Sequence, residues 1–166
     1  MIDSAEPHPG RVVARLLTAA DVATLREMLG VFASAFEDDE TYLGQQPRDA
    51  YLRGLLADPS FVAIAGLVGD RVVGGLAGYV LRKFEQERSE IYLYDLAVLD
   101  GFRRRGVAMA MIDELRRVAR DRGAWVVYVQ ADHGDDAAIA LYTRLGTRED
   151  VMHFDIEPLE GEGKPR

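Results

Sequence analysis

The run Arg103-Arg104-Arg105-Gly106-Val107-Ala108 lies between a β-rich segment ending at Val98 and an amphipathic stretch beginning at Gly106. At such a strand-to-helix junction the N–H groups of the first helical turn and the positive end of the helix dipole converge on one small space. That space suits an anionic phosphate. Gly106 lets the backbone approach a ligand without a Cβ in the way, small Ala108 does the same one turn in, and the arginines add charge and bidentate contacts. A solvated basic turn or a nucleic-acid patch would use the same arginines.

Asp95, in Tyr94-Asp95-Leu96-Ala97-Val98, is the second candidate. Strict alternation places it on the strand face of Ile91, Leu93 and Ala97, where a carboxylate loses hydration and its pKa rises, a common preparation for proton transfer. The other reading is a structural aspartate that accepts backbone hydrogen bonds near a bulge. Glu90, at the start of the same strand, either assists through water or is a solvated strand end. Asp132, Asp135 and Asp136 cluster where a later strand ends and a helix starts, the edge at which open α/β sheets place ligands. One of the three is required as the helix N-cap. Tyr142, in Ala140-Leu141-Tyr142-Thr143-Arg144-Leu145-Gly146, has the spacing of a core aromatic.

Hydrophobic periodicity gives the elements that must hold these residues. Residues 11–17 read as a strand, and Thr18 caps a helix with Val22, Leu25, Met28, Leu29, Phe32 and Phe36 on one face. An acidic run, Glu37 to Glu40, follows, and Pro47 opens a second helix through Ala57. Residues 61–68 and 71–81 form an antiparallel hairpin through Gly69-Asp70. A loop with Glu85 and Glu87 leads to the strand at residues 90–98, and residues 106–122 form a helix closed by Gly123. A strand at residues 124–131 pairs parallel with that at 90–98 through a right-handed crossover. A short helix to Leu145 and a strand at residues 151–156 complete a mixed α/β sheet of about six or seven strands with helices on both faces. One domain spans residues 11–157, with an N-terminal extension at 1–10 and a frayed tail at 158–166.

The inventory excludes much else. With no cysteine, thiolate zinc sites and cysteine nucleophiles are ruled out. His8, His133 and His153 lack ligand spacing, so no metal is expected. None of Ser4, Ser34, Ser60 and Ser89 sits in a Gly-x-Ser-x-Gly elbow, and neither Lys83 nor Lys164 follows a phosphate-loop pattern. A net charge of −8 disfavours nucleic acid and anionic membrane as partners and favours a cationic ligand. The apolar run at residues 72–81 is too short to cross a membrane, and the start of the chain does not read as a signal peptide. A cytoplasmic protein is expected.

Arg103-x-x-Gly106-x-Ala108 after Asp95-Leu96-Ala97-Val98 resembles the acetyl-coenzyme A signature, Gln/Arg-x-x-Gly-x-Gly/Ala, of the GCN5-related N-acetyltransferase superfamily. Phe84-Glu85-Gln86, Ser89-Glu90-Ile91-Tyr92, Tyr128-Val129-Gln130-Ala131-Asp132, Gly134-Asp135-Asp136, Ala140-Leu141-Tyr142 and Val151-Met152-His153-Phe154-Asp155-Ile156 look like the type I aminoglycoside 3-N-acetyltransferases. The likeness runs from about Val12 to Glu157, with His133 standing where that group has tyrosine. The resemblance implies that coenzyme A enters a splay between the strands ending at Val98 and Ala131. Its pantetheine arm would pair with the backbone of Leu96, Ala97 and Val98, and its pyrophosphate would rest on the N–H groups from Arg103 through Arg104, Arg105, Gly106 and Val107 to Ala108. It also implies that Asp95 lines the amine pocket, that Tyr142 serves the leaving thiolate, that the substrate is a polycationic aminoglycoside, and that the chain forms a homodimer. Without a cysteine for a covalent relay, the transfer would be direct.

Overall fold

The computed structural model describes residues 10–159, so the expected N-terminal extension and frayed tail lie almost wholly outside the described residues. In order come β1 (Val12–Leu16), α1 (Val22–Phe36), a π-helical turn (Glu40–Gly44), α2 (Asp49–Ala57), β2 (Phe61–Val68), β3 (Arg71–Arg82) and β4 (Ser89–Val98). A 3-10 turn (Asp100–Phe102), α3 (Val107–Asp121), β5 (Ala124–Val129) and α4 (Asp136–Thr143) follow. The chain divides into two compact units, one ending at Gln130 and one beginning at Ala131.

The first unit is a five-stranded sheet in the order β1-β2-β3-β4-β5, antiparallel throughout except for the parallel pair β4/β5. The β2/β3 hairpin turns at Gly69-Asp70, with Gly69 at a φ of 60° that glycine adopts without strain. Helices cover both faces. On one, Leu25, Met28, Val31 and Phe32 of α1 join Leu52 of α2 in a core with Phe61, Ala63, Ala65 and Ala97. On the other, α3 buries Val107, Met111, Ile112, Leu115 and Val118. Each fully buried Met28, Met111 or Leu115 contributes on the order of 1.5–3 kcal/mol through burial.

Neighbouring residues of one strand show which helix lies on which face. A Cβ added at Gly74 would lie 2.9 Å from Met111 Cε and Val107 Cγ1, whereas one added at Gly75 would lie 3.0 Å from Phe32 Cζ. The glycine pair lets α1 and α3 press onto the sheet from opposite sides.

Three expectations need correction. Thr18 does not cap α1: the N-cap is Asp21, whose carboxylate turns back to accept hydrogen bonds from Thr18 N and Oγ1, both 2.8 Å, and from Arg15 at 2.6 Å. The arginine and threonine hold that carboxylate down to a pKa of about 2, against some opposition from burial. Among the described residues the sheet has five strands, in place of the six or seven expected. Among the described residues no strand is found at residues 151–156. Alternation makes a segment fit for a sheet, but only a backbone partner makes it a strand. No helix among the described residues is long and apolar enough to cross a membrane.

Candidate active site

α3 opens without a side-chain cap. Gly106 occupies its N-cap at a φ of 83°, and the first intrahelical bond runs from Ala110 N to Gly106 O at 2.9 Å. The N–H groups of Val107, Ala108 and Met109 therefore lack helical partners. Gly106 is required for its φ rather than for space, because an added Cβ would meet nothing within 4 Å. Arg104 is also left-handed, at a φ of 62°, so the turn curls twice before the helix. The arginines have different partners. Arg103 donates to Val98 O at 3.3 Å and pairs with Asp100 at 3.0 Å, while Arg105 lies over the Phe102 ring at 5.3 Å.

The strand leading to this turn has a free edge. β4 pairs with β5 only as far as Leu93 and Val129, whereas β3 accompanies it to Val98. β5 ends at Val129, opposite Leu93, so among the described residues Leu96, Ala97 and Val98 have no strand partner on that side. Free strand amides running into a free helix N-terminus fit an elongated ligand that has amides along one part and phosphates at its end.

Asp95 is not where alternation puts it. Ala77 pairs with Asp95 and Gly78 with Leu93, so Tyr94 is an extra residue, a β-bulge. One inserted residue reverses the alternation upstream of it. Asp95 and Ala97 share the α1 face with Tyr92 and Tyr94, opposite Ile91 and Leu93. The carboxylate is half-buried, no cation lies within ion-pairing distance among the described residues, and burial pushes its pKa up. The same carboxylate helps raise the phenols of Tyr42, Tyr79 and Tyr92, after burial itself.

Glu90 is already engaged: it accepts from Trp125 Nε1 at 3.2 Å and pairs with Lys83 at 3.3 Å. It also lies five residues along the strand from Asp95, roughly 16 Å at ~3.3 Å per residue. The remaining candidates belong to the second unit. Asp135 is the cap of α4, accepting from Ala138 N at 3.0 Å, while Asp132 and Asp136 are exposed. Tyr142, in the last turn of α4, has its phenol pushed up to about 12 by burial and then by Asp135.

Sequence reasoning missed the tyrosines beside Asp95. The signal is their spacing: Tyr92 and Tyr94 are two residues apart, as same-face residues of a strand are. The bulge has no such local signature, since it is set by the register against β3.

Comparison with known proteins accords with this geometry. The family model described as Acetyltransferase (GNAT) family matches residues 25–147. A solved structure of an aminoglycoside acetyltransferase from an uncultured soil metagenomic sample is 50% identical, with a TM-score of 0.87, and the match covers 89% of this chain and 99% of that one. A second aminoglycoside acetyltransferase from such a sample, solved in complex with sisomicin, is 28% identical with a TM-score of 0.81 over 89% of this chain and 96% of that one. N-acetyltransferase 8B of Rattus norvegicus is 27% identical over 86 residues, 52% of this chain, and the match spans only 39% of the rat protein. The uncapped α3 turn and the unpaired end of β4 lie inside the stretch that the family model matches, and the chain belongs to the GNAT family of acetyltransferases.

Proposed function

We propose that the chain transfers the acetyl group of acetyl-coenzyme A directly to the 3-amino group of an aminoglycoside. The observation that carries this reading is the free β4 edge at Leu96, Ala97 and Val98 running into the uncapped start of α3, with the unpaired carboxylate of Asp95 on the same strand. The similarity to two aminoglycoside acetyltransferases, one solved with sisomicin, supports the substrate class. The likeness of the sequence to type I enzymes supports the 3-amino position. A net charge of −8 suits a polycation.

Acetyl-coenzyme A supplies an acyl donor with a thiolate leaving group. The amide groups of Leu96 to Val98 hold its pantetheine arm, and the N–H groups from Arg103 to Ala108, with the arginine charge, hold its phosphates. The acceptor arrives as an ammonium ion and must lose a proton before it can attack. Asp95 attracts that ammonium and accepts the proton, directly or through one water. Its pKa, raised by burial, makes it a better base than an ordinary aspartate. Tyr142, which stays protonated because its pKa is near 12, donates a proton to the departing thiolate. Asp132, Asp135 and Asp136 add negative charge for the remaining ammonium groups. Acetylation removes one positive charge from the drug and so weakens its binding to RNA, which gives resistance in the cytoplasm.

A turnover assay with acetyl-coenzyme A and three acceptor classes tests the reading. Gentamicin-type and kanamycin-type aminoglycosides should be acetylated far faster than a polyamine or a peptide N-terminus. Preference for either of the latter would replace the aminoglycoside as substrate.

A further inference from the structure

The sheet face that carries Asp95 is paved with aromatic rings. Phe61, Tyr79, Tyr94, Tyr92 and Tyr128 follow one another from β2 to β5 at centroid separations of 5.5, 5.7, 5.5 and 4.9 Å. Tyr94 meets Tyr79 and Tyr92 at 88° and 79°, whereas Tyr92 and Tyr128 stack at 7°. The Tyr92 hydroxyl donates to Gln130 Oε1 at 2.8 Å, which pins the middle of the file. Such rings usually lie in a core. Phe61 does, at 8% exposed, but Tyr94 is 59% exposed, Tyr79 38% and Tyr128 37%.

The bulge sets Tyr94 directly beside Asp95, so exposed tyrosine rings and an unpaired carboxylate lie on one patch. Ring faces are negative in quadrupole and attract cations, most of all where water is partly excluded. The carboxylate repels anions, and the phenolic rims make the patch a poor seat for a purely apolar partner. Charge complementarity therefore selects a cation that also has C–H surface to lay against the rings.

We propose that Tyr79 and Tyr94, flanking Asp95, form the recognition surface for the acceptor, taking the ammonium groups and adjacent ring carbons of a polyamino sugar by cation–π and face contact. This rests on the acetyltransferase reading above and adds the residues that select its substrate. Asp95 supplies charge and the proton acceptor; the tyrosines supply shape and a preference for a cation carried on a ring.

Calorimetric titration of the full chain with sisomicin, without acetyl-coenzyme A, separates recognition from turnover. Tyr94→Leu and Tyr79→Leu should each raise Kd about 3- to 30-fold. Tyr94→Phe, which keeps the ring, should stay within about 3-fold of wild type. The Leu variants should bind acetyl-coenzyme A with unchanged affinity and keep their Tm, which excludes misfolding, and in turnover their loss should fall on KM more than on kcat. An unchanged Kd in both Leu variants would overturn the proposal, as would Tyr94→Phe losing as much as Tyr94→Leu, since the hydroxyl would then carry the effect. Wild type that binds sisomicin through these rings without acetylating it overturns the functional reading and leaves the recognition standing. Wild type that acetylates sisomicin while Tyr94→Leu and Tyr79→Leu bind it normally does the reverse. Failure of wild type to bind sisomicin overturns the proposal.

Discussion

Tyr94 and Asp95, neighbours in sequence, lie on the same face of β4, because Tyr94 has no partner on β3 while Asp95 pairs with Ala77 and Leu93 with Gly78. A regular strand would send them to opposite faces. The bulge thus moves the carboxylate off the α3 face of the sheet and places it among tyrosines, where it is half-buried without a counter-ion. Bulges of this kind commonly re-aim a side chain next to an active site.

Asp95→Asn preserves shape but removes the charge and the proton acceptor. At saturating drug, kcat should fall by about 10²- to 10⁴-fold. Burial raises the folded pKa of Asp95 above its unfolded value, so the protonated carboxyl stabilises the fold at acidic pH and that contribution is lost as pH rises through the folded pKa. Asp95→Asn should therefore have a higher Tm than wild type at pH 7, with the gap closing toward pH 4. Measured kcat within a few-fold of wild type, with its acidic limb intact, would leave Asp95 a binding or structural group.

Much of this was legible in the sequence. Hydrophobic periodicity and the Gly69-Asp70 turn predict β2, β3, α3 and the parallel β4/β5 pair, since each depends on local spacing or turn chemistry. The side of Asp95 was not legible, because the extra residue at Tyr94 exists only in the pairing of two strands. The segment expected as a strand at residues 151–156 has the right alternation, but no strand is found there among the described residues. The turn before α3 that carries Arg103, Gly106 and Ala108 was legible from the sequence, although the structure gives Gly106 a conformational reason rather than a steric one.

Gly106→Val should abolish acetyl-coenzyme A binding. A β-branched residue at a φ of 83° costs on the order of 1–3 kcal/mol locally and rotates the first N–H groups of α3 away from their common direction. Thermal melting should show a fold largely intact, and calorimetry should show the lost affinity. Unchanged affinity would place the coenzyme elsewhere.

Tyr142→Phe should lower kcat by about 10²-fold or more if the phenol is the acid. Its folded pKa of about 12 exceeds the ordinary tyrosine value of 10.0, so the proton is held more tightly in the fold, and the stability this contributes is present below pH 10 and lost as pH rises toward 12. The wild-type kcat profile should show no alkaline limb from this residue below about pH 10. A Phe variant with wild-type kcat would assign Tyr142 to packing.

The position of the transferred acetyl group tests the central claim most directly. Sisomicin incubated with the protein and acetyl-coenzyme A, purified and assigned by two-dimensional NMR, should carry one acetyl group on the 3-amino nitrogen, whose attached carbon and proton shift while those of the other amines do not. Acetylation at the 6′-amino group, or no acetylated product under conditions where acetyl-coenzyme A binds, would contradict the account.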